Sequence, residues 1–307
     1  MKGIRMAKEY FLYEKDKEKR IAWITFNKPE KQNMISMDEM RTWPPLLTEI
    51  ERDEDVKLLV LKGLGECFGT GADMADLGPE TVGFSRDRKA PPPPLRRRIA
   101  YERRMGHDAL RGGMMDMFHF GKPCICQVHG YCYGWHFQVA TEADIVIASE
   151  EALFTHPAFR YIAETFPTMA WMNTIGYQKT AEMAFTGRPF TAQELYTAGL
   201  VNRVVPREKL EAEVMEYASA IAKLSLDLLM VQKHYLATLR SIRQETLSGD
   251  LIACMGHVLS SYMKPEPGDY VVLKEVTRKG PKEAAAEREK MYPPRWRLSY
   301  KGRAAKE

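Results

Sequence analysis

The chain has 307 residues, 45% hydrophobic and 28% charged, an ordinary globular balance that excludes wholesale disorder and permits a sizeable core. Its 45 lysines and arginines against 41 acidic residues leave a net charge of +4, too mild for a dedicated nucleic-acid binder. Five cysteines, with Cys124 and Cys126 as a close pair, match neither a secreted disulfide framework nor the paired spacing of a zinc site, so no metal is expected and a reducing cytoplasm fits.

The N-terminal stretch is charged throughout, and no apolar run approaches ~18 residues, so a soluble protein without a membrane partner is expected. Arg20 to Phe26, "RIAWITF", is rich in β-branched and aromatic residues and reads as a strand, followed by the polar turn "NKPEKQN". "SMDEMRTWPPLLTEIERDEDV" opens with a serine N-cap and carries apolar residues at helical spacing. Pro44 and Pro45 are expected to kink or restart that helix. "KLLVLKG" is a continuous apolar run, hence a buried strand, and "GLGECFGTGAD" behind it is a glycine-rich turn.

From Gly78 to Arg104 the pattern breaks. The run "KAPPPPLRRR" marks an inserted, extended loop with a basic end. A helix over Met105 to Phe120 leads to the strand "KPCICQV", then to "HGYCYGWHFQVATEAD", where glycines and aromatics crowd the turn before a helix, then to strands at "DIVIAS" and "ALFTH". Beyond Pro167 the chain reads as mostly helical: "TAQELYTAGLVNRVVP" is a capped helix, a glycine stop and a short strand, and the segments after Pro206 and Ser225 are amphipathic helices. "MYPPRWRLSYKGRAAKE" reads as a basic tail, peripheral or bound to a partner. The order of elements suggests an α/β layered fold.

Three of these segments, in this order, resemble the crotonase (enoyl-CoA hydratase/isomerase) superfamily. "LLVLKGLGECFGTGAD" is similar to that family's strand and A-G-x-D-type turn. "KPCICQVHGYCYGWHFQVATEADIVIAS" is similar to its K-P strand, N-G-Y and G-G-G turn, helix and next strand, and "TGRPFTAQELYTAGLVNRVVP" to its T-G…G-L-V…V-V-P segment. The resemblance runs from about Ala22 to Leu236. It implies a crotonase-like ββα spiral core with two roughly perpendicular sheets over residues 1–206, interrupted by the loop 78–104, and a helical C-terminal oligomerisation region with the basic tail over 207–307. It also implies a homotrimer or dimer of trimers, an acyl-CoA or small carbonyl substrate, and no cofactor other than the coenzyme A that the substrate carries.

Carried over residue by residue, the resemblance makes the backbone amides of Ala72 and Trp135 an oxyanion hole. A turn that opens a helix leaves free N–H groups, and the helix dipole adds positive potential there. Thr70, Tyr131 and Tyr133 lie beside these turns as candidate substrate contacts, although tyrosines in such a place also line cores. The family's two acid/base glutamates fall on Gln138 and Ala158, neither of which exchanges a proton, so ordinary glutamate-pair hydration is not expected; both positions remain candidates for lining the substrate.

His136, His156 and Glu164 are the remaining candidates for proton transfer, since histidine titrates near neutrality and a carboxylate orients it. A His156–Glu164 pair resembles the arrangement in β-diketone hydrolases of the same superfamily, which cleave carbon–carbon bonds by retro-Claisen addition of water. The alternatives stay open: His156 capping a strand end with Glu164 in solvent, and His136 packing beside Phe137. His129 reads as structural, and Asp73 and Asp144 as caps. Lys62, Lys89, Arg96, Arg97 and Arg98 are candidate contacts for the coenzyme A phosphates, or simply a solvated charged face. The aromatic-rich site suits a bulky acyl group. Hydration, isomerisation, thioester hydrolysis and carbon–carbon hydrolysis are all open, as is a non-catalytic protein that binds acyl-CoA or a partner.

Overall fold

The strand Ile21–Phe26 (β2) buries five of its six residues, as a run of apolar side chains must when both faces of a sheet are covered. In a computed structural model of the protein, described for residues 10–73, 116–160, 168–243, 266 and 268–299, β2 is the second strand of a six-stranded sheet. Phe11–Asp16 (β1) pairs with it antiparallel. Leu58–Gly63 (β3), Cys124–Val128 (β4), Ile145–Ser149 (β6) and Arg203–Val205 (β9) continue the sheet in parallel. A second sheet of three short strands joins Tyr131–Tyr133 (β5), Leu153–Thr155 (β7) and Phe190–Thr191 (β8).

Period-two alternation sorts the strand side chains between two hydrophobic layers. Leu58 and Val60 face Leu210, Val214 and Ala218 of the helix Leu210–Ala222 (α6). Leu59 and Leu61 face the other way, into a cluster with Trp43, Leu47, Phe137 and Trp171. Those residues come from the helices Met37–Arg52 (α1), Trp135–Glu142 (α3) and Thr168–Thr186 (α4). Of the helix expected up to Phe120, only Asp116–His119 (α2) lies among the described residues. Ala192–Ala198 (α5) is capped by Thr191 with Glu194 and stopped by Gly199 at φ 94°, and Leu226–Ile242 (α7) is capped by Ser225.

Two expectations need correction. α1 does not restart at Pro44 and Pro45 but runs through both from a capping box between Ser36 and Glu39. Met40, Trp43, Leu46, Leu47 and Ile50 are buried along it, at roughly 1.5–3 kcal/mol each, which outweighs about 3 kcal/mol for an interior proline.

The tail is not peripheral as far as residue 299. After Val272–Lys279 (α8) and Pro281–Lys290 (α9), the chain folds back over Arg160. That guanidinium lies 3.7 Å from the centre of the Tyr292 ring, donates to the Trp296 carbonyl at 2.6 Å and pairs with Glu289 at 3.2 Å. The Tyr133 hydroxyl donates to the Leu298 carbonyl at 2.8 Å. The loop 78–104, with Lys89, Arg96, Arg97 and Arg98, lies outside the described residues, as do Glu164 and residues 300–307.

Candidate active site

Two glycine turns meet at the edge of the small sheet. The first follows β3: Gly69 N–H donates to the Tyr131 carbonyl at 2.9 Å, and Tyr133 N–H returns to the Gly69 carbonyl at 2.9 Å, so the turn lies alongside β5. The second links β5 to α3 through Gly134, at φ 58° and ψ −125°, a conformation that only glycine adopts readily. Gly71, at φ +91°, completes the contact: a Cβ built on it would stand 3.1 Å from Gly134 Cα and 3.3 Å from Trp135 N. Side chains are excluded where the two backbones touch.

The peptide planes on either side are fixed by hydrogen bonds. Ile35 N–H donates to the Gly71 carbonyl at 3.0 Å, and because the Gly71–Ala72 peptide is trans, the Ala72 N–H points the opposite way. Gln138 N–H takes the Gly134 carbonyl at 3.1 Å as the first turn of α3, which turns the Trp135 N–H out of the helix N-terminus. Among the described residues, no acceptor bonds either the Ala72 or the Trp135 amide. Two donors without an acceptor among the described residues, on touching turns, are suited to one negatively polarised oxygen.

The sequence candidates divide around this point. The Trp135 indole is buried and packs against Phe11, Phe26 and Trp43, so the residue offers its backbone outward and its ring to the core. His136 is fully buried. Its Nδ1 accepts from Gly71 N–H at 3.0 Å and its Nε2 lies 2.7 Å from the Tyr10 hydroxyl. Burial depresses its pKa to about 3. With both ring nitrogens bonded inside the protein, His136 is no free acid or base, which corrects the proton-transfer expectation.

His156 is buried beside Phe159 and Trp171, and burial also lowers its pKa to about 3, so it is neutral at physiological pH. Ala158 is buried in the short 3-10 turn Pro157–Arg160. Gln138 is buried, and its side-chain amide donates to Glu142 at 3.1 Å. Thr70 gives its hydroxyl to the Gln32 carbonyl at 3.1 Å. The Tyr131 and Tyr133 rings lie 5.0 Å apart on one face of β5. Lys62 stands half-exposed near the end of β3, in register with Thr25 and Gln127.

Other polar residues hold neighbouring backbone and helices in place. His129 bonds the Gly65 carbonyl at 3.0 Å, and Asp144 binds Cys124 N–H at 2.8 Å and Lys233 at 2.7 Å. Burial pushes the Cys67 thiol up to about 11 and raises Cys124 and Cys132 as well, so none of these is a ready thiolate nucleophile. Sequence reasoning missed Tyr10, Asn33 and Glu142. Tyr10 and Asn33 belong to no glycine motif and reach the site only by tertiary contact. Glu142, buried one helical turn beyond Gln138, was legible from its i, i+4 spacing.

Residues 16–257 match the family model described as enoyl-CoA hydratase/isomerase. A mevalonyl-coenzyme A hydratase of Aspergillus fumigatus is 32% identical over 212 residues, covering 67% of this chain and 71% of that protein. A hydroxycinnamoyl-CoA hydratase-lyase of Pseudomonas fluorescens is 27% identical over 230 residues, covering 74% and 79%. Among solved structures, a probable enoyl-CoA hydratase of Mycobacterium thermoresistibile aligns with a TM-score of 0.68 at 28% identity, over 81% of this chain and 93% of that one. An enoyl-CoA hydratase/isomerase of Xanthobacter autotrophicus aligns with a TM-score of 0.75 over 94% and 100%; at 23% identity it speaks for the fold alone. With the matching model spanning most of the length and the paired turns in place, the chain belongs to the enoyl-CoA hydratase/isomerase, or crotonase, family.

Proposed function

We propose that this chain is an acyl-CoA-processing enzyme that holds the thioester carbonyl of a bulky, cyclic or aromatic acyl group between the amides of Ala72 and Trp135. These donors would stabilise the enolate formed by loss of an α-proton, or the oxyanion formed by addition to the carbonyl. One observation carries the reading: among the described residues, neither amide has an acceptor, and the turns that bear them touch at Gly71 and Gly134. Such donors strengthen as charge develops and need no reorganisation when it does. Relatives whose names specify a hydratase and a hydratase-lyase for CoA thioesters support the substrate class.

The proton chemistry on this reading differs from a glutamate pair, because Gln138 and Ala158 stand at those positions. His156, neutral and close in sequence to Ala158, is the residue we assign to proton transfer, with Glu164 as its orienting carboxylate. Its low basicity makes it an acceptor only when developing negative charge stands beside it. Lys62 and the arginines 96–98 would neutralise coenzyme A phosphates. Through α7 the chain would assemble as a trimer or a dimer of trimers.

The test is a panel of linear, cyclic and aromatic acyl-CoAs, together with cyclic β-diketones, incubated in D2O and followed by mass spectrometry. Deuterium uptake at the α-carbon, water addition or CoA release supports the reading, and which of them occurs fixes the reaction class. His156→Asn should abolish that turnover while leaving affinity largely intact. A panel returned unchanged by a well-folded protein would overturn the catalytic assignment.

A further inference from the structure

Where the family pattern quoted above has its third glycine, this chain has His136, and the imidazole is accommodated by specific partners. It lies over Gly69, where a Cβ would stand 2.2 Å from the ring. The rings of Phe26 and Phe68 enclose it, with centres 4.9 and 5.9 Å away. The polar contacts run in one direction. Because Gly71 N–H donates to Nδ1, a neutral ring carries its proton on Nε2 and donates it to the Tyr10 oxygen at 2.7 Å. The Tyr10 hydroxyl in turn donates to the Asn33 carbonyl at 2.5 Å. Asn33 is itself pinned: its side-chain amide donates to the carbonyls of Leu64 at 3.0 Å and Cys67 at 2.8 Å, and its side-chain oxygen accepts from Lys28 N–H at 2.9 Å.

We infer that His136 is a positioning residue of the oxyanion hole: anchored through Tyr10 to Asn33, its Nδ1 holds the Gly71 amide and thereby sets the direction of the neighbouring Ala72 N–H. The inference rests on the reading of Ala72 and Trp135 as the oxyanion donors. His136 is itself the second residue of α3, directly after Trp135, so the helix that carries one donor also fixes the turn that carries the other. Gly71 tolerates this φ only because it lacks a side chain, and the same freedom would let its peptide rotate. Ile35 holds the following peptide by its carbonyl; His136 holds the preceding one by its N–H. Removing that acceptor leaves a buried donor unpaired, and the turn then relaxes toward another partner.

The test reads the enolate directly. Acetoacetyl-CoA enolises to a species with its own ultraviolet absorbance, and the apparent pKa of the bound thioester measures how well the oxyanion is held. Wild-type protein should lower that pKa relative to free acetoacetyl-CoA. His136→Phe, which fills the space without an acceptor, should move it back by at least one unit, on the order of tenfold in the enolate equilibrium. Affinity for coenzyme A alone should stay unchanged. His136→Asn, whose side-chain oxygen can replace Nδ1, should restore most of the shift, and a purely structural role would not produce that rescue. If His136→Phe does not fold, Tyr10→Phe, which removes the anchor while keeping the ring, should give a smaller change of the same sign. A bound pKa that is lowered equally in wild type and variants overturns the inference alone. No lowering in wild type overturns the oxyanion reading first, and the inference with it.

Discussion

Gly71 and Gly134 stand so close that the first methyl group added to either would meet the other's Cα at 3.1 Å. Both have positive φ, +91° and +58°, so close approach and backbone conformation both require glycine. Gly71→Ala should lower the unfolding free energy by about 2 kcal/mol, the usual scale for a side chain forced into such a conformation. It should reduce turnover far more than it reduces coenzyme A affinity, because the displaced peptide is the one that carries the Ala72 amide proposed as an oxyanion donor. Denaturant midpoints and initial rates on the same preparation check both effects, and equal losses of rate and affinity would contradict the placement.

Burial holds both His136 and His156 at a pKa of about 3, against about 6.5 in an unfolded chain. Between those values the unfolded state binds protons that the folded state does not, so stability falls as pH falls. The contribution is fully present above about pH 6.5 and is lost progressively toward pH 3, at a limiting slope of about 1.4 kcal/mol per pH unit for each histidine. Urea midpoints measured from pH 7 to pH 4.5 should decline, and His136→Asn and His156→Asn should each flatten the decline. A midpoint flat across that window in the wild type would mean that neither ring is as desolvated as the packing implies.

Much of the fold was legible because its strands are apolar runs bracketed by turns, and because Ser36, Thr191 and Gly199 end helices in ways that sequence spacing displays. The short strands β5 and β8 were not. Three residues of "HGYCYG" and two of "PFT" carry no period of their own, and they become strands only by pairing with β7. At the site, the glycines announced the turns, but the contacts of His136 were hidden. A histidine after a glycine turn reads as a proton carrier until Tyr10, 126 positions away, is found against its second nitrogen. Tertiary contacts of that range leave no local pattern.

Gln138 and Glu142 share a 3.1 Å hydrogen bond on successive turns of α3, both buried. Gln138→Glu, which returns the family's carboxylate to that position, would set two carboxyl groups side by side out of water. One of them should then stay protonated well above the ordinary carboxylate range. The variant should lose about 1–3 kcal/mol of stability at pH 7 and recover part of it at pH 5, and it should not gain hydratase activity while the second glutamate position is held by Ala158. Denaturation at the two pH values, with a crotonyl-CoA hydration assay, checks the pair. Full stability at pH 7 would show that water reaches the site.

Arg160 is nearly inaccessible, its side chain 1% exposed beside a Glu289 that is 15% exposed, and its guanidinium joins α9 and residues 292–296 to the turn that bears Ala158. Breaking a buried pair by removing one partner costs about 3–5 kcal/mol, because the other charge is left unpaired. Arg160→Ala should therefore release the segment around residues 291–299 before the core unfolds. Limited proteolysis should cut there, and the Leu298 amide, which donates to Glu289 at 2.5 Å, should exchange rapidly. Since Tyr133 holds the same segment through the Leu298 carbonyl, Tyr133→Phe should give a weaker form of the same result. Unchanged protection in both variants would show that other contacts hold the tail in place.

Leu228, Val231, Tyr235, Leu239 and Ile242 follow one another on α7 at steps of three and four residues, and all are exposed: Val231 at 67%, Tyr235 at 63% and Ile242 at 72%. The opposite face of the helix buries Leu229 and Lys233, the latter paired with Asp144 at 2.7 Å, so the helix is seated and its apolar stripe points outward. An exposed apolar stripe of this length is suited to an interaction surface, and in the proposed trimer it would be buried against neighbouring copies of the chain. If the proposed trimer forms through this stripe, Val231→Glu with Tyr235→Glu should convert it to monomers while the fold is kept, because neither side chain contributes to the core. Light scattering after size-exclusion chromatography reads the mass, and circular dichroism reads the fold. An unchanged mass would place the subunit contact elsewhere, and a wild-type protein that already runs as a monomer would remove the proposed trimer.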